Sequence, residues 1–186
     1  MGMLVNIAAF QIGWLLSVIG GAQQMPWLGP AATLIVLSVH LHLAHKPSRE
    51  VVLIVCAAAL GAAFDSALLA AGWVQYSSGL FSDYVAPYWI ITMWMLFAAT
   101  LNVSLRWMRG RPVLASVFGL FGGPLAYIAG QKLGGIALVD ELAALAALGI
   151  GWAFFMPLLI WLSSNFDGFE RRPATGRQPA AVPEVA

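Results

Sequence analysis

Apolar residues fill six long stretches of this chain, and short polar connectors separate them. The stretches run over about residues 4–22, 27–45, 51–73, 86–107, 113–131 and 139–163. At a rise of about 1.5 Å per residue, each stretch is long enough as a helix to cross a hydrocarbon core of roughly 30 Å. The pattern therefore predicts an all-α, polytopic membrane protein whose six transmembrane helices form one domain over residues 1–163.

Residues 164–186 depart from this pattern. Pro, Ala, Gly and charged residues dominate them, and such a composition buries too little apolar surface to form a packed fold. We expect a disordered cytoplasmic tail here.

The composition agrees with a lipid environment. Of the 186 residues, 61% are hydrophobic and only 9% are charged, whereas a soluble domain has about 25% charged residues. Too few charged groups remain to cover a surface that faces water. The formal net charge of +1, with no basic stripe, argues against a nucleic-acid partner. The first partner that the sequence predicts is the lipid bilayer.

Lys and Arg residues lie almost entirely on one side of the predicted topology. The connectors after the second and fourth stretches and the tail carry eight of the nine, and the remaining one is Lys132. Connectors rich in Lys and Arg stay in the cytoplasm. The count therefore predicts cytoplasmic N and C termini, with residues 75–85 on the outer side.

Asp65 lies deep inside the third apolar stretch. Counted from the cytoplasmic end, it is roughly 20 Å deep, a little past the midplane, where insertion of an Asp costs about 2.5–3.5 kcal/mol. The residues on its helical face are mostly small, so the carboxyl group is expected to point into the bundle. These residues are Ala58, Gly61, Ala62, Leu69 and Gly72.

Tyr127 is predicted to lie at the same depth as Asp65. No Lys, Arg or His of the apolar stretches is predicted at that depth. Without a cation, burial favours the neutral acid, which suits a structural hydrogen bond to Tyr127. A carboxyl group inside a membrane is also a candidate for proton coupling or ligand binding, and both roles stay open. Tyr76 is predicted at the outer boundary among the interfacial aromatic residues, and Trp94 is predicted to serve packing.

A second polar layer is expected nearer the cytoplasm. Its members are Asn6, Gln11, His40, Asn102 and Ser104. Of these, Gln11, His40 and Asn102 join Asp65 and Tyr127 as candidate residues of a ligand or proton site.

The chain lacks the familiar motifs of catalysis and metal binding. His40 and His42 are two residues apart, on nearly opposite helix faces, and the chain has three histidines in all. We therefore expect no metal and no cofactor. No nucleophile elbow, phosphate-binding loop or zinc-protease motif is present, so catalytic residues are unknown and an enzymatic activity stays an open question.

Glycines and one proline interrupt the fifth stretch. Gly122, Gly123 and Pro124 stand together there, and an internal proline removes a backbone hydrogen bond. The sequence therefore predicts a bend or break of the fifth helix. Small residues at four-residue spacing predict close helix packing. No internal repeat is evident in the sequence, and an inverted pair of three-helix halves stays possible.

Four strings carry a resemblance to a known family. They are FQIGW (10–14), ALGAAFDSALLAAG (59–72), PYW with LFAATLNVSLRW (87–107) and GGPLAYIAGQKLG (122–134). Together they resemble a domain-of-unknown-function family of small six-span bacterial inner-membrane proteins, over about residues 4–163. The resemblance implies a multi-pass protein of the inner membrane and a genomic association with enzymes that modify membrane fatty acids. It implies no catalytic or binding residues.

Two functions of different class remain. The first is an accessory component of membrane lipid (fatty-acid) modification or of envelope stress response, which contacts acyl chains or a membrane-protein partner through its grooves. The alternative is a small proton-coupled transporter or permease with Asp65 at a midplane site. A water-accessible cavity that reaches Asp65 favours the transporter, and a dry, packed Asp65 weakens it.

Overall fold

The computed structural model describes residues 2–170, and this part of the chain is mostly helical. A 3₁₀ turn, Arg106–Met108, precedes the fifth helix. The helices and strands are α1 (Met3–Ala22), α2 (Leu28–Leu43), α3 (Pro47–Ala70), β1 (Val74–Tyr76), α4 (Tyr88–Leu101), α5 (Pro112–Lys132), β2 (Ile136–Leu138) and α6 (Glu141–Asn165). The helical class is confirmed, and a two-stranded sheet that the sequence did not predict is added to it.

Four of the helices, α1, α3, α5 and α6, are long and apolar enough to cross a membrane. The other two, α2 and α4, are apolar but have only 16 and 14 residues. α4 stops at Leu101, short of the predicted end at 107. There the N–H groups of Val103 and Leu105 both donate to the carbonyl of Thr100, so the α-helical hydrogen-bond pattern ends. Helix length therefore supports four of the six predicted spans.

α3 and α5 end in the same way. Gly72 and Gly134 adopt the left-handed backbone, with φ of 73° and 84°, which glycine tolerates because it has no Cβ. Each turn leads into a short strand, and β1 and β2 pair antiparallel with Gln75 opposite Ala137. The two helices therefore end next to each other, at the same small sheet.

The units α3–β1–α4 and α5–β2–α6 have the same order of helix, strand and helix. Residues 61, 65, 72 and 74 of the first unit correspond to residues 123, 127, 134 and 136 of the second, a constant offset of 62. Gly61 lies against the ring of Trp94 in α4, and Gly123 lies against the ring of Trp152 in α6. These two indole rings stack with centroids 4.7 Å apart. The structure thus contains a repeat of two helix–strand–helix units that was not evident in the sequence.

α5 is continuous through Gly122, Gly123 and Pro124, so the predicted helix break is wrong. The reason is its packing against α6. A Cβ at Gly119 would lie 2.1 Å from the carbonyl oxygen of Trp152, so the two backbones approach closely. Close packing along small residues keeps this segment helical despite the hydrogen bond that Pro124 removes.

The packed domain extends past the predicted boundary at residue 163. α6 continues to Asn165, and Asp167 is 1% exposed. Residues 171–186, which make up most of the predicted tail, lie outside the residues that the structure describes.

Gly123→Ala is expected to lower the free energy of unfolding by about 1–3 kcal/mol, as overpacked core positions do. The added Cβ would lie 2.3 Å from the Trp152 ring, whereas a Cβ at Gly122 meets only the Phe118 ring, at 3.7 Å. Gly122→Ala is therefore the matched control, neutral or stabilising by up to about 1 kcal/mol through helix propensity. Thermal unfolding in one detergent measures both variants, and equal melting temperatures would contradict this packing.

Candidate functional site

Asp65 is fully buried and accepts hydrogen bonds from three side chains. The hydroxyl of Tyr76 donates to Oδ1 at 2.8 Å, and the indole N–H of Trp94 donates to Oδ2 at 2.7 Å. The hydroxyl of Tyr127 also donates to Oδ1. Because the donors come from β1, α4 and α5, Asp65 of α3 connects four elements of the fold. The structure thus brings the predicted pair of Asp65 and Tyr127 together.

Local geometry explains why these donors converge. The turn at Gly72 folds β1 back over the end of α3, which carries Tyr76 to Asp65. Tyr127 has the same place in α5 as Asp65 has in α3, so the repeat sets these two side chains face to face. Gly61, one turn from Asp65, leaves room for the ring of Trp94. Trp94 therefore serves packing, as predicted, and also donates a hydrogen bond that the sequence did not indicate.

The depth of Asp65 differs from the prediction. It lies five residues before the end of α3, or about 8 Å from that end, and so nearer this end than the middle of the helix. Tyr76, expected among the interfacial aromatic residues, is only 7% exposed.

The carboxyl group of Asp65 has no free face. Asp65 is 0% exposed, both of its oxygens accept hydrogen bonds, and both phenol hydroxyls are committed to it. Several polar groups do converge at one depth, as a membrane enzyme requires. Since all three donors bond to Asp65, the arrangement connects helices and leaves no oxygen of the carboxyl group free for a substrate.

A second buried network surrounds Glu50 at the other end of α3. Glu50 Oε2 lies 2.8 Å from Nε2 of His40, and Oε1 accepts from the side-chain amide of Asn102 at 2.6 Å. Oε1 also accepts from the backbone N–H of Gly168 at 2.6 Å. The predicted residues His40 and Asn102 thus meet through Glu50. Fifteen residues of α3, about 22 Å, separate this network from Asp65, so the predicted site residues belong to different places.

Sequence reasoning missed Glu50 because it stands one residue after Arg49, at the basic edge of a span, where a solvated carboxylate is the ordinary expectation. Its full burial depends on partners far away in the chain. The one feature of the sequence that could have indicated a buried Glu50 is that it belongs to the same predicted helix as Asp65.

The segment after α6 completes the network around Glu50. Asp167 Oδ2 lies 2.7 Å from guanidinium nitrogens of both Arg109 and Arg106, and Oδ1 accepts from the N–H of Phe169. Burial alone would raise the pKa of the Asp167 carboxyl. The hydrogen bonds from Arg109 and Phe169 and the two guanidinium charges outweigh burial and hold that pKa below its usual value. A Cβ at Gly168 would lie 2.5 Å from Cγ of Glu50, so this segment is seated closely against α3.

An apolar cleft of about 710 Å³ lies along α1, α4 and α5. Trp94 and Tyr127 belong both to its wall and to the Asp65 cluster, while Asp65 itself does not line it. Gln11, the remaining predicted site residue, lies on the wall of this cleft and in neither hydrogen-bonded cluster. The wall also includes Ile7, Phe10, Trp14, Phe97, Phe118 and Ala126.

The repeat explains why this cleft is open. In the interface of α3 with α6, the Phe64 ring lies against Gly151 and 5.0 Å from the Phe155 ring. With the offset of 62, Phe64 corresponds to Ala126. With the offset of 58 that relates Trp94 to Trp152, Phe155 corresponds to Phe97. A methyl group therefore stands where the other half of the repeat has a phenyl ring, and space remains beside Phe97.

Fold and site together define a mostly helical protein with several membrane-length apolar helices, a buried carboxylate cluster at each end of α3, and one apolar cleft. The family model for proteins of unknown function designated DUF2878 matches residues 3–158, so the chain belongs to this family. The resemblance to a family of unknown function is thereby confirmed. The chain matches no curated protein and no solved structure. The match includes Asp65, Glu50 and the cleft, and it ends before Asp167.

Asp65→Leu is expected to lower the free energy of unfolding by about 2–5 kcal/mol, since three hydrogen bonds of about 0.6–1.7 kcal/mol each are lost. Asp65→Asn should cost less, because its amide oxygen can still accept from Trp94 while its NH₂ group donates to a phenol oxygen. Thermal unfolding in detergent ranks the two variants. Asp83→Leu, at an exposed loop position, is the control. An Asp65→Leu variant as stable as the wild type would show that the hydrogen bonds of Asp65 do not stabilise the fold.

Proposed function

We propose that this chain is an integral protein of the bacterial inner membrane, with six spans and both termini in the cytoplasm. The four long helices support membrane insertion. The shorter α2 and α4 are apolar and pack against each other and against α1, which suits spans that are shielded by their neighbours. Lys and Arg are concentrated at the end of the bundle that holds the Glu50 network, and Lys132 lies at the other end. This distribution supports a cytoplasmic location for the Glu50 end.

Cysteine labelling tests this topology. In a Cys56→Ala background, Asp83→Cys should react with a membrane-impermeant maleimide in intact cells, and Arg111→Cys only after the inner membrane is permeabilised. Both positions are exposed, so access to the thiol is set by the side of the membrane and not by burial. Labelling of position 111 in intact cells would overturn the orientation.

The function that we propose is the binding of an acyl chain in the cleft, as part of an accessory role in membrane lipid modification or envelope stress response. The observation that supports it is the cleft of about 710 Å³, within the range of about 300–1,000 Å³ usual for small-molecule sites. Its wall is mainly aromatic and aliphatic. A cleft of this kind inside a bilayer is too apolar to hold water, and acyl chains are the molecules that surround it.

The driving force for such binding is packing. An acyl chain that leaves the bilayer for the cleft exchanges one apolar environment for another, so the hydrophobic effect contributes little. Dispersion contacts with fixed rings such as Phe97 and Trp14 distinguish the cleft from fluid lipid. The cleft is therefore expected to select chains by shape.

The alternative, a small proton-coupled transporter or permease with Asp65 at a midplane site, has less support. Asp65 is fully buried, is hydrogen bonded through both oxygens and does not line the cleft. One observation favours it, which is that Tyr127 and Trp94 contact both Asp65 and the cleft.

Filling the cleft tests the proposed function. Ala126→Phe adds to the cleft a ring equivalent to that of Phe64 in the other half of the repeat. Gly122→Leu fills the cleft with an aliphatic side chain, from a position where an added Cβ meets only the Phe118 ring, at 3.7 Å. Native mass spectrometry of the purified proteins should show at least about tenfold less bound lipid for both variants, since loss of tight packing here is worth about 1.4 kcal/mol or more. Val117→Phe, on the same helix outside the cleft, is the matched control and should keep its lipid.

Membrane fatty-acid profiles test the biological role. A deletion strain should show an altered profile under oxidative or envelope stress, which the wild type and Val117→Phe restore and Ala126→Phe does not. A profile unchanged by the deletion would refute the role in lipid modification, and unchanged lipid binding in both cleft-filling variants would refute the site.

A further inference from the structure

Gln11 presents an amide group to the cleft that no other described residue satisfies. Its side chain lines the cleft, where it is exposed, and makes no hydrogen bond within residues 2–170. The hydroxyl groups on the same wall are all satisfied, since Thr100 donates to the carbonyl of Phe97, Ser104 to Asn6 and Tyr127 to Asp65. Gln11 therefore stands apart from the hydroxyl groups of this wall.

Trp14 lies one helical turn beyond Gln11 and also lines the cleft. Its indole N–H makes no hydrogen bond within the described residues either. Residues three apart on a helix share a face, so an amide and an indole donor stand one above the other on the cleft wall. The indole N–H of Trp152, another residue of the wall, is buried and likewise finds no partner in the described part of the chain.

Gln11 and Trp14 lie far from either end of α1, where water would supply the missing hydrogen bonds. Gln11 lies eight residues from the start of α1 and Trp14 lies eleven, which is about 12 Å and about 17 Å along the helix. In a hydrocarbon core of roughly 30 Å, these depths lie on either side of the midplane. Water does not satisfy an amide at this depth, and the ester groups of membrane lipids lie at the edge of the core.

We infer that the cleft selects an acyl chain that carries an oxygen-containing group, a hydroxyl or a carbonyl, near the middle of its length, and that Gln11 and Trp14 bind this oxygen. This inference rests on the proposed function and names its ligand class. Both groups donate to an acceptor oxygen, and Gln11 also accepts from a hydroxyl. An unsubstituted chain leaves both groups unpaired.

Competition between matched chains tests the inference. The full-length protein is mixed with equal amounts of octadecanoic acid and an octadecanoic acid hydroxylated at mid-chain, and bound ligand is quantified by native mass spectrometry. The chain with the mid-chain hydroxyl should be preferred by about 3-fold to about 20-fold, the range expected for one interhelical-strength hydrogen bond in a membrane. A hydroxyl beside the carboxyl group should bring no preference.

Gln11→Leu should reduce the preference to near unity while the plain chain still binds. Gln75→Leu makes the same chemical change at an exposed position in β1 and should leave the preference intact. Repeating the competition with the chains esterified in a phospholipid distinguishes a free fatty acid from a membrane lipid as the source, and preference in either form supports the inference.

Three outcomes would overturn it. The first is equal binding of both chains by the wild type, and the second is a preference that survives Gln11→Leu. The third is a protein that proves to be dimeric and that Gln11→Leu makes monomeric without changing the ratio of the two bound chains, since Gln11 would then serve contact between copies. Failure of every chain to bind contradicts the proposed function itself, so the two ideas fail in different ways.

Discussion

A buried carboxyl group without access to water is stable only where the protein supplies its hydrogen bonds, and this constraint shapes the half of the bundle that contains Asp65. Asp65 collects Tyr76, Trp94 and Tyr127 from three other elements. The sheet lies over the end of α3, α4 approaches α3 along Gly61, and α5 faces α3, because each arrangement brings one donor to Asp65. Removal of the carboxylate would leave three buried donors unpaired, which is why the cluster connects more of the fold than its size suggests.

The end of α3 that carries Glu50 meets the same requirement by a different route. Glu50 obtains its hydrogen bonds from His40, from Asn102 and from the backbone of Gly168, so the chain after α6 becomes part of the domain. Arg106 and Arg109 secure that segment through Asp167. With polar clusters at both ends of α3, the middle of the bundle is left to apolar packing.

The repeat decides where that packing is incomplete. In one half, Phe64 fills the interface of α3 with α6, and in the other half Ala126 leaves the cleft open beside Phe97. A difference of one side chain between equivalent positions therefore turns a closed interface into a cleft. Gln11, whose amide has no partner among the described residues, belongs to α1, which lies outside the repeat.

The sequence by itself determined the helical class, the apolar stretches and the pairing of Asp65 with Tyr127. It did so because a membrane helix satisfies its own backbone, so hydropathy and depth along each helix are local properties. Only the tertiary structure decided the sheet, the roles of Tyr76 and Trp94, the Glu50 network and the cleft. These depend on contacts between distant residues, such as Glu50 with Gly168, 118 positions apart, and no local pattern records them. The break predicted at Gly122, Gly123 and Pro124 failed for the same reason, since packing against α6 overrides the local preference of α5.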